Sequence, residues 1–235
     1  MKGTLYGLGV GPGNSDLVPI GAVRKLAEVD VVFAASSPKN DFSHALNVVD
    51  EFLPDGVDVR YLDFPMTRDQ AVLEAAWNEN ARMVLEVLDA GKDAAFITIG
   101  DSLLFSTWSY LMATVKEHDE NAQLVSFSGV PAYHAAASCL NLPLVEGSET
   151  LLVFPGVKDL EHFVEMGNSV DTLVVMKAYK NFDQLLDAVS QMKGKHRVIA
   201  ASNVGLKNEA IVEDAFTLRG TKMPYLTMLI VKSVK

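Results

Sequence analysis

The sequence predicts an α/β protein made of two layered units, and three observations predict it. Short apolar runs bounded by Gly, Pro, Asn or Asp recur along the 235 residues, as strands do. Stretches of helical length and pattern lie between most of them, so strands and helices alternate. Several runs, such as 31–34, are continuously apolar rather than alternating, as expected of strands buried on both faces.

Residues 5–10 read as the first strand. Asn14, Ser15 and Asp16 are all good helix caps, and the helix they open is expected to run to about Val29. Residues 31–34 form the second strand, 43–52 look helical, and 57–62 read as a weaker strand. Thr67 with Gln70 reads as a capping box for a long helix ending near Gly91. Residues 94–99 are the next buried strand. It ends in Gly100-Asp101-Ser102, and a helix follows from about Ser106.

The second half repeats this habit. Residues 123–127 form a strand, and Gly129-Val130-Pro131 breaks into an alanine-rich helix through Ala135, Ala136 and Ala137. Residues 151–154, 172–176 and 198–201 read as strands, with helices near 158–165 and 182–192. The closing stretches, 210–216 and 225–231, read as adjacent strands, so the second sheet is expected to be mixed. The polar stretch 116–121 marks the boundary between domains at 1–118 and 122–235.

Apolar residues make up 49% of the chain and charged residues 21%, an ordinary globular balance. No uninterrupted apolar stretch is long enough for a membrane span, and Met1 leads directly into a strand, which leaves no room for a signal peptide. The single cysteine, Cys139, excludes an intrachain disulfide and a cysteine-rich metal site. Its small and apolar neighbours predict a buried, inert thiol. These features point to the cytoplasm. A formal charge of -10 argues against nonspecific nucleic-acid binding, which needs clustered Lys and Arg. It leaves room for an anionic small molecule at a local basic patch. No metal site is expected, because the five histidines show no ligand-pair spacing.

Two loops carry the chemical signal. Tyr6-Gly7-Leu8-Gly9-Val10-Gly11-Pro12-Gly13 follows the first apolar run, with glycine at every second position from 7 to 13. A strand ending this way offers its backbone to something small. The spacing is not the dinucleotide fingerprint: G-x-G-x-x-G begun at Gly7 needs glycine where Pro12 stands, and begun at Gly9 needs it where Asn14 stands. A tight turn with no ligand would use the same glycines. The second loop is Thr98-Ile99-Gly100-Asp101-Ser102. A buried strand delivers Asp101 at its carboxyl end, where α/β sheets bind ligands, and an aspartate there would equally serve as a helix cap.

Together the two loops resemble those of the tetrapyrrole methylases, the S-adenosylmethionine (SAM) enzymes of cobalamin and sirohaem biosynthesis. The resemblance continues through Ser128-Gly129-Val130-Pro131, Val174-Val175-Met176-Lys177 and the terminal stretch from Pro224 to Val231, and so covers nearly the whole chain with its landmarks in order. Within the family, Leu140 to Gly147, Met176 to Asp183 and the Pro-Tyr-Leu-Thr ending are most similar to the branch that methylates C20 of precorrin-2 or cobalt-factor II. Two places depart from the pattern. Ser102 stands where the family has the proline of Gly-Asp-Pro, and Ser128 and Pro131 alter a Pro-Gly-x-Ser/Thr turn.

The resemblance implies two α/β domains with SAM in the cleft between them, a homodimer, and S-adenosylhomocysteine as product. It places Gly11 against the substrate and Pro12 against the cofactor. Gly100, Asp101 and Leu104 line the methionine part of SAM, with Pro131 and Ala132 from the second domain, while Met176, Ala201 or its neighbours, and Leu226 enclose the adenine, mostly through backbone atoms and apolar contact. Asp101 is the first candidate for a base that removes the C20 proton, with Tyr133 and His134 behind it. The substrate carboxylates need cationic partners; Lys39, Arg68 and Lys177 are the main candidates, with His44 and Lys180 beside them. The alternatives are another methylase of the corrin or sirohaem pathway, a diphthine synthase-like or rRNA-directed methylase, which in its RNA form would want a basic face, and a nonenzymatic nucleotide-binding protein.

Overall fold

Five parallel strands build the first sheet of the computed structural model, which describes residues 1–36 and 43–234. They are β1 (Thr4–Gly9), β2 (Val31–Ser36), β3 (Asp58–Asp63), β4 (Ala94–Thr98) and β5 (Gln123–Phe127), in the spatial order β3-β2-β4-β1-β5. Four helices cover them: α1 (Ile20–Leu26), α2 (His44–Val49), α3 (Gln70–Asp89) and α4 (Trp108–His118). Alternation along the strands splits their side chains between two cores. Leu5, Val31, Phe33 and Phe96 pack with Val84, Leu88, Trp108 and Leu111 of α3 and α4. Leu8, Val32, Ala34, Ala95 and Ile97 pack with Ala22, Leu26, Val48 and Val49 of α1 and α2. Burial on both faces explains why β2 and β4 read as continuous apolar runs.

This order positions the site. β4 and β1 are paired neighbours, yet the chain leaves β1 for a helix on one face and leaves β4 for a helix on the other. The carboxyl ends of β1 and β4 are therefore a topological switch point, the place where open α/β sheets bind ligands.

The second sheet contains β6 (Leu151–Phe154), β7 (Thr172–Val175), β8 (Lys195–Ser202), β9 (Ala210–Val212) and β10 (Thr227–Val234), in the order β6-β7-β10-β8-β9. It is mixed, as expected: β6 and β7 are parallel, and the remaining pairs are antiparallel. α6 (Leu160–Gly167) and α7 (Phe182–Ser190) pack on one face, burying Phe163, Phe182, Leu185 and Leu186 against Leu173, Val198 and Leu229. α5 (Ala132–Cys139) begins this unit. Lys232 of β10 donates to the Leu144 carbonyl at 3.1 Å and pairs with Glu149 at 2.9 Å, which fastens the connection after α5 to the sheet.

The structure moves several expected boundaries. The chain divides into Met1–Pro131 and Ala132–Lys235, not at 118–122. The strand expected to open the second domain pairs in parallel with β1 and completes the first sheet. The polar stretch before it is a surface turn. The first expected helix is interrupted at Pro19, whose missing N–H and effect on Val18 hold both residues extended, so a short 3-10 turn (Ser15–Leu17) precedes α1. α3 is capped by Asp69, whose carboxylate accepts from Ala71 and Val72, and not by a Thr67–Gln70 box. Thr67 instead accepts from the Asp69 N–H, and Gln70 reaches forward to Glu74. β9 is shorter than expected and pairs with β8, so the two closing strands are not adjacent. Cys139 is exposed rather than buried, because it falls on the outer side of the last turn of α5.

Candidate functional site

At this switch point, the ends of three neighbouring strands meet through glycine. A Cβ on Gly129 would lie 2.0 Å from the Gly100 carbonyl oxygen and 2.7 Å from the Gly9 carbonyl carbon. One on Gly9 would lie 2.6 Å from the Gly129 nitrogen. The approach of β1, β5 and the turn after β4 therefore excludes side chains at these positions. The first loop is stitched to β4 by the Val10 N–H to the Thr98 carbonyl at 2.9 Å, then by a reciprocal pair between Gly11 and Gly100, at 3.2 and 2.6 Å. Both residues of that pair have positive φ, 80° at Gly11 and 77° at Gly100, a conformation glycine adopts without strain. Pro12 is buried beside them.

Asp101 holds the second loop. One carboxylate oxygen accepts from the Leu103 N–H at 2.8 Å and the other from the Gly129 N–H at 2.9 Å. It thus ties the turn after β4 to the segment after β5. Ser102 is fully buried, and its hydroxyl donates to the Phe127 carbonyl at 2.8 Å, a second tie across the same gap. A proline at 102 would lack that hydroxyl, so the departure from the family pattern adds an anchor. Ser106 accepts from the Trp108 N–H at 3.1 Å and starts α4.

An Asp101→Asn change keeps one acceptor oxygen but turns an NH2 group toward the other N–H donor. Losing a charge-assisted bond costs about 1.5–3 kcal/mol. The expected result, for the SAM that the resemblance implies, is a rise in dissociation constant of about tenfold or more. A fall in kcat with cofactor affinity unchanged would instead mark Asp101 as a base. Isothermal titration beside steady-state kinetics separates the two.

The second unit gathers its candidates at one end of its sheet. β7 and β8 both pair antiparallel with β10, so their carboxyl ends lie beside the start of β10. Met176 and Lys177 follow β7, and Lys177 is exposed with φ 55°. Asn203 follows β8 with φ 51°, and its N–H donates to the Leu226 carbonyl at 2.9 Å. Tyr179 and Tyr225 meet edge to face with ring centroids 5.1 Å apart. Burial, and then Tyr179, push the Tyr225 hydroxyl above its ordinary value, so it is a neutral donor at physiological pH.

Both loops lie within residues 4–218, which match the model of the tetrapyrrole (corrin/porphyrin) methylases. The chain belongs to this family. The methylase is 34% identical to the probable cobalt-precorrin-2 C(20)-methyltransferase of Methanocaldococcus jannaschii, over 98% of this chain and 96% of that one. It is 35% identical to the cobalt-precorrin-2 C(20)-methyltransferase of Salmonella typhimurium, over 81% and 79%. Its fold is shared with uroporphyrin-III C-methyl transferase from Thermus thermophilus, a structure complexed with S-adenyl homocysteine, with a TM-score of 0.67 and 19% identity over 98% and 97% of the two chains.

The first unit of this methylase brings together Gly11, Pro12, Gly100 and Asp101, with Leu104 three residues further along the same loop and Pro131 two residues after Gly129. Ala132 opens α5. The second unit brings Met176 and Lys177 to the same end of the sheet as Leu226. Ala201 is fully buried within β8, paired with Met228, so Asn203 and not Ala201 stands at the strand end. Arg68 is exposed in the segment after β3, and β3 lies two strands from β4. Neither Arg68 nor Lys177 forms an ion pair among the described residues. Lys39 lies outside the described residues. His44 is exposed at the start of α2, and the Lys180 ammonium stands 5.7 Å from the Tyr179 ring. Tyr133 is buried, whereas His134 is exposed and borders a hollow of about 530 Å³ with Ser138, Asn141 and Leu144.

Sequence reasoning passed over Gly9, Gly129 and Asn203 as site residues, and also Thr98. The Thr98 hydroxyl is buried with no hydrogen-bond partner among the described residues, and Thr98 is in register with Gly9. Backbone groups free of side chains and an unpartnered buried hydroxyl fit a small polar ligand at this switch point. Gly129 was visible as part of Ser-Gly-Val-Pro, but nothing local marks how closely its neighbours approach. Among the described residues no helix is long and apolar enough to cross a membrane, and no group of three His, Cys, Asp or Glu is placed to hold a metal.

Proposed function

We propose that this methylase transfers a methyl group from SAM to C20 of precorrin-2 in its cobalt form, in cobalamin biosynthesis. The observation that carries this reading is the 34% identity, over nearly the full length of both chains, to the Methanocaldococcus protein of that name. The cobalt belongs to the substrate and enters with it.

Bound SAM supplies a methyl group activated by its sulfonium. The chain's part is to hold and orient. Gly11, Gly100 and the segment around Gly129, Pro131 and Ala132 line the amino-acid end of the cofactor, with Pro12 and Leu104 as apolar neighbours. Met176 and Leu226 enclose the adenine, with Asn203 shaping the Leu226 segment and buried Ala201 acting only as sheet floor. Such positioning of two reactants can supply about 7–11 kcal/mol of the barrier. Arg68 and Lys177 are the described cations that receive substrate carboxylates, and Lys39 keeps that role as an expectation of the family. Asp101, with both oxygens engaged by backbone N–H groups, is a positioning residue in this reading and not the base. The homodimer and the cytoplasmic location belong to the same reading, and light scattering on the purified chain tests the first.

An anaerobic methyl-transfer assay read by mass spectrometry tests the function. Purified protein and SAM are offered cobalt-factor II and metal-free precorrin-2 separately. One methyl gained on the cobalt form, and little on the other, is the expected result. Gain on the metal-free form alone reverses the substrate assignment. No gain on either, with S-adenosylhomocysteine still binding, overturns the C20 assignment and leaves another methylase. Preference for a nicotinamide dinucleotide over S-adenosylhomocysteine overturns methyl transfer itself.

A further inference from the structure

The loop from β4 to α4 contains an arrangement that cofactor binding does not explain. Leu103 is 56% exposed and Phe105 46% exposed, while the flanking Ser102 and Ser106 are buried and Leu104 between them is half-buried. The loop is pinned at four points: Asp101 holds the Leu103 N–H, Ser102 holds the Phe127 carbonyl, Ser106 accepts from the Trp108 N–H, and the Ser109 hydroxyl donates to the Ser106 carbonyl at 2.8 Å. These bonds turn the small polar residues inward and leave the two large apolar ones facing out. Phe105 also has φ 52°, a conformation that costs free energy for a bulky side chain and persists only where the surroundings impose it. An apolar ring held in strained backbone and left in solvent is doubly unfavourable unless something covers it.

We propose that Leu103 and Phe105 form an apolar platform for one face of the tetrapyrrole ring, placing it at the switch point. This rests on the tetrapyrrole substrate of the function proposed above. The platform extends the turn that pairs with the Gly11 loop, so it follows directly on the meeting point of the strand ends. Residues 102–107 are Ser-Leu-Leu-Phe-Ser-Thr, with no charged side chain. The neighbouring acid, Asp101, has both oxygens engaged by the Leu103 and Gly129 N–H groups, and a macrocycle with an apolar face and carboxylates around its rim finds its cations elsewhere, Arg68 among them. Stacking a flat conjugated ring on an aromatic side chain is a favourable use of an exposed phenylalanine.

The test uses the full chain and four variants: Leu103→Ser, Phe105→Ala, Phe105→Gly and Phe105→Tyr. Cobalt-factor II binding is read by quenching of Trp77 and Trp108, beside KM and kcat for methyl transfer, S-adenosylhomocysteine affinity and thermal midpoint. Phe105→Ala and Phe105→Gly are expected to weaken cobalt-factor II binding and raise its KM about tenfold, with S-adenosylhomocysteine affinity within about twofold of the parent. Leu103→Ser follows in the same direction, less strongly. Phe105→Tyr keeps the ring and stays close to the parent. Phe105→Gly relieves the strained φ, so its thermal midpoint is unchanged or raised while binding falls, a combination a structural role would not give. Unchanged cobalt-factor II binding in Phe105→Gly overturns the platform. So does an equal loss of both ligands, or a loss of self-association with tetrapyrrole binding intact, which would make a second copy the cover. Failure of the parent to methylate at C20 while it still binds cobalt-factor II counts against the function alone, and failure to bind any tetrapyrrole overturns both.

Discussion

Gly129→Ala is expected to raise the dissociation constant for SAM or S-adenosylhomocysteine at least about tenfold, equivalent to about 1.4 kcal/mol. The backbone at Gly129 does not occupy the glycine-only region, so the penalty is steric. The new methyl group would stand 2.0 Å from the Gly100 oxygen and 2.7 Å from the Gly9 carbonyl carbon, and neither is the end of a flexible side chain. Relief requires the turn after β4 to move away from β5. That movement strains the Gly11–Gly100 pair and the Gly129 N–H bond to Asp101, the two contacts that tie the strand ends together. Overpacking of this kind also destabilises by about 1–3 kcal/mol. Gly100→Ala should behave differently: its Cβ meets nothing within 4 Å, so only its φ of 77° opposes the change. Isothermal titration with S-adenosylhomocysteine and a thermal melt on both variants read the contrast. Parent-like affinity in Gly129→Ala would show that the close approach of these strand ends does not shape the ligand site.

Trp108→Ala is expected to destabilise the first unit by about 3–5 kcal/mol, a large part of the 5–15 kcal/mol that holds a typical domain. Trp108 is fully buried on the first turn of α4 and lies flat against β1, where Gly7 leaves room for it. A Cβ at Gly7 would come within 2.2 Å of the indole. The ring stacks on Phe96 at 6.2 Å, and its N–H donates to the Ser126 hydroxyl at 2.8 Å, so one side chain joins α4 to β1, β4 and β5. Its removal leaves a cavity where α4 meets β1, β4 and β5. Trp108→Phe should cost less, about 1–2 kcal/mol, because the core stays mostly filled and only the Ser126 bond is lost. Both tryptophans lie in the first unit, so fluorescence follows that unit in a denaturant titration, with Trp77 as the reporter in the variants. An unfolding midpoint that hardly moves in Trp108→Ala would mean that the neighbouring helices collapse into the space.

The alternation of strands and helices was legible because burial on both faces of a parallel sheet demands uninterrupted apolar runs, and residues 31–34 and 94–97 supply them. The two site loops were legible for a related reason: glycines at every second position and an aspartate after a buried strand are local features. Resemblance then supplied the family and, through it, the identity of the cofactor. What stayed hidden were partnerships. Residues 123–127 look the same whether they open a second sheet or close the first, and only the register with β1 decides. Asp101 looks the same as a base or as a clamp, and of the two N–H groups facing its oxygens, which support the clamp, one comes from the distant Gly129. Ala201 looked available beside an adenine, but pairing on both sides buries it.

The sequence by itself determined the α/β class, the two loops at the ends of β1 and β4, and membership in the tetrapyrrole methylases, because each is written in short-range pattern. Only the tertiary structure decided that β5 belongs to the first sheet, that Gly9, Gly100 and Gly129 meet, and that Leu103 and Phe105 are held outward. Those outcomes depend on which distant backbones approach within a side chain's width, and packing across the sheet settles such distances where local preference cannot.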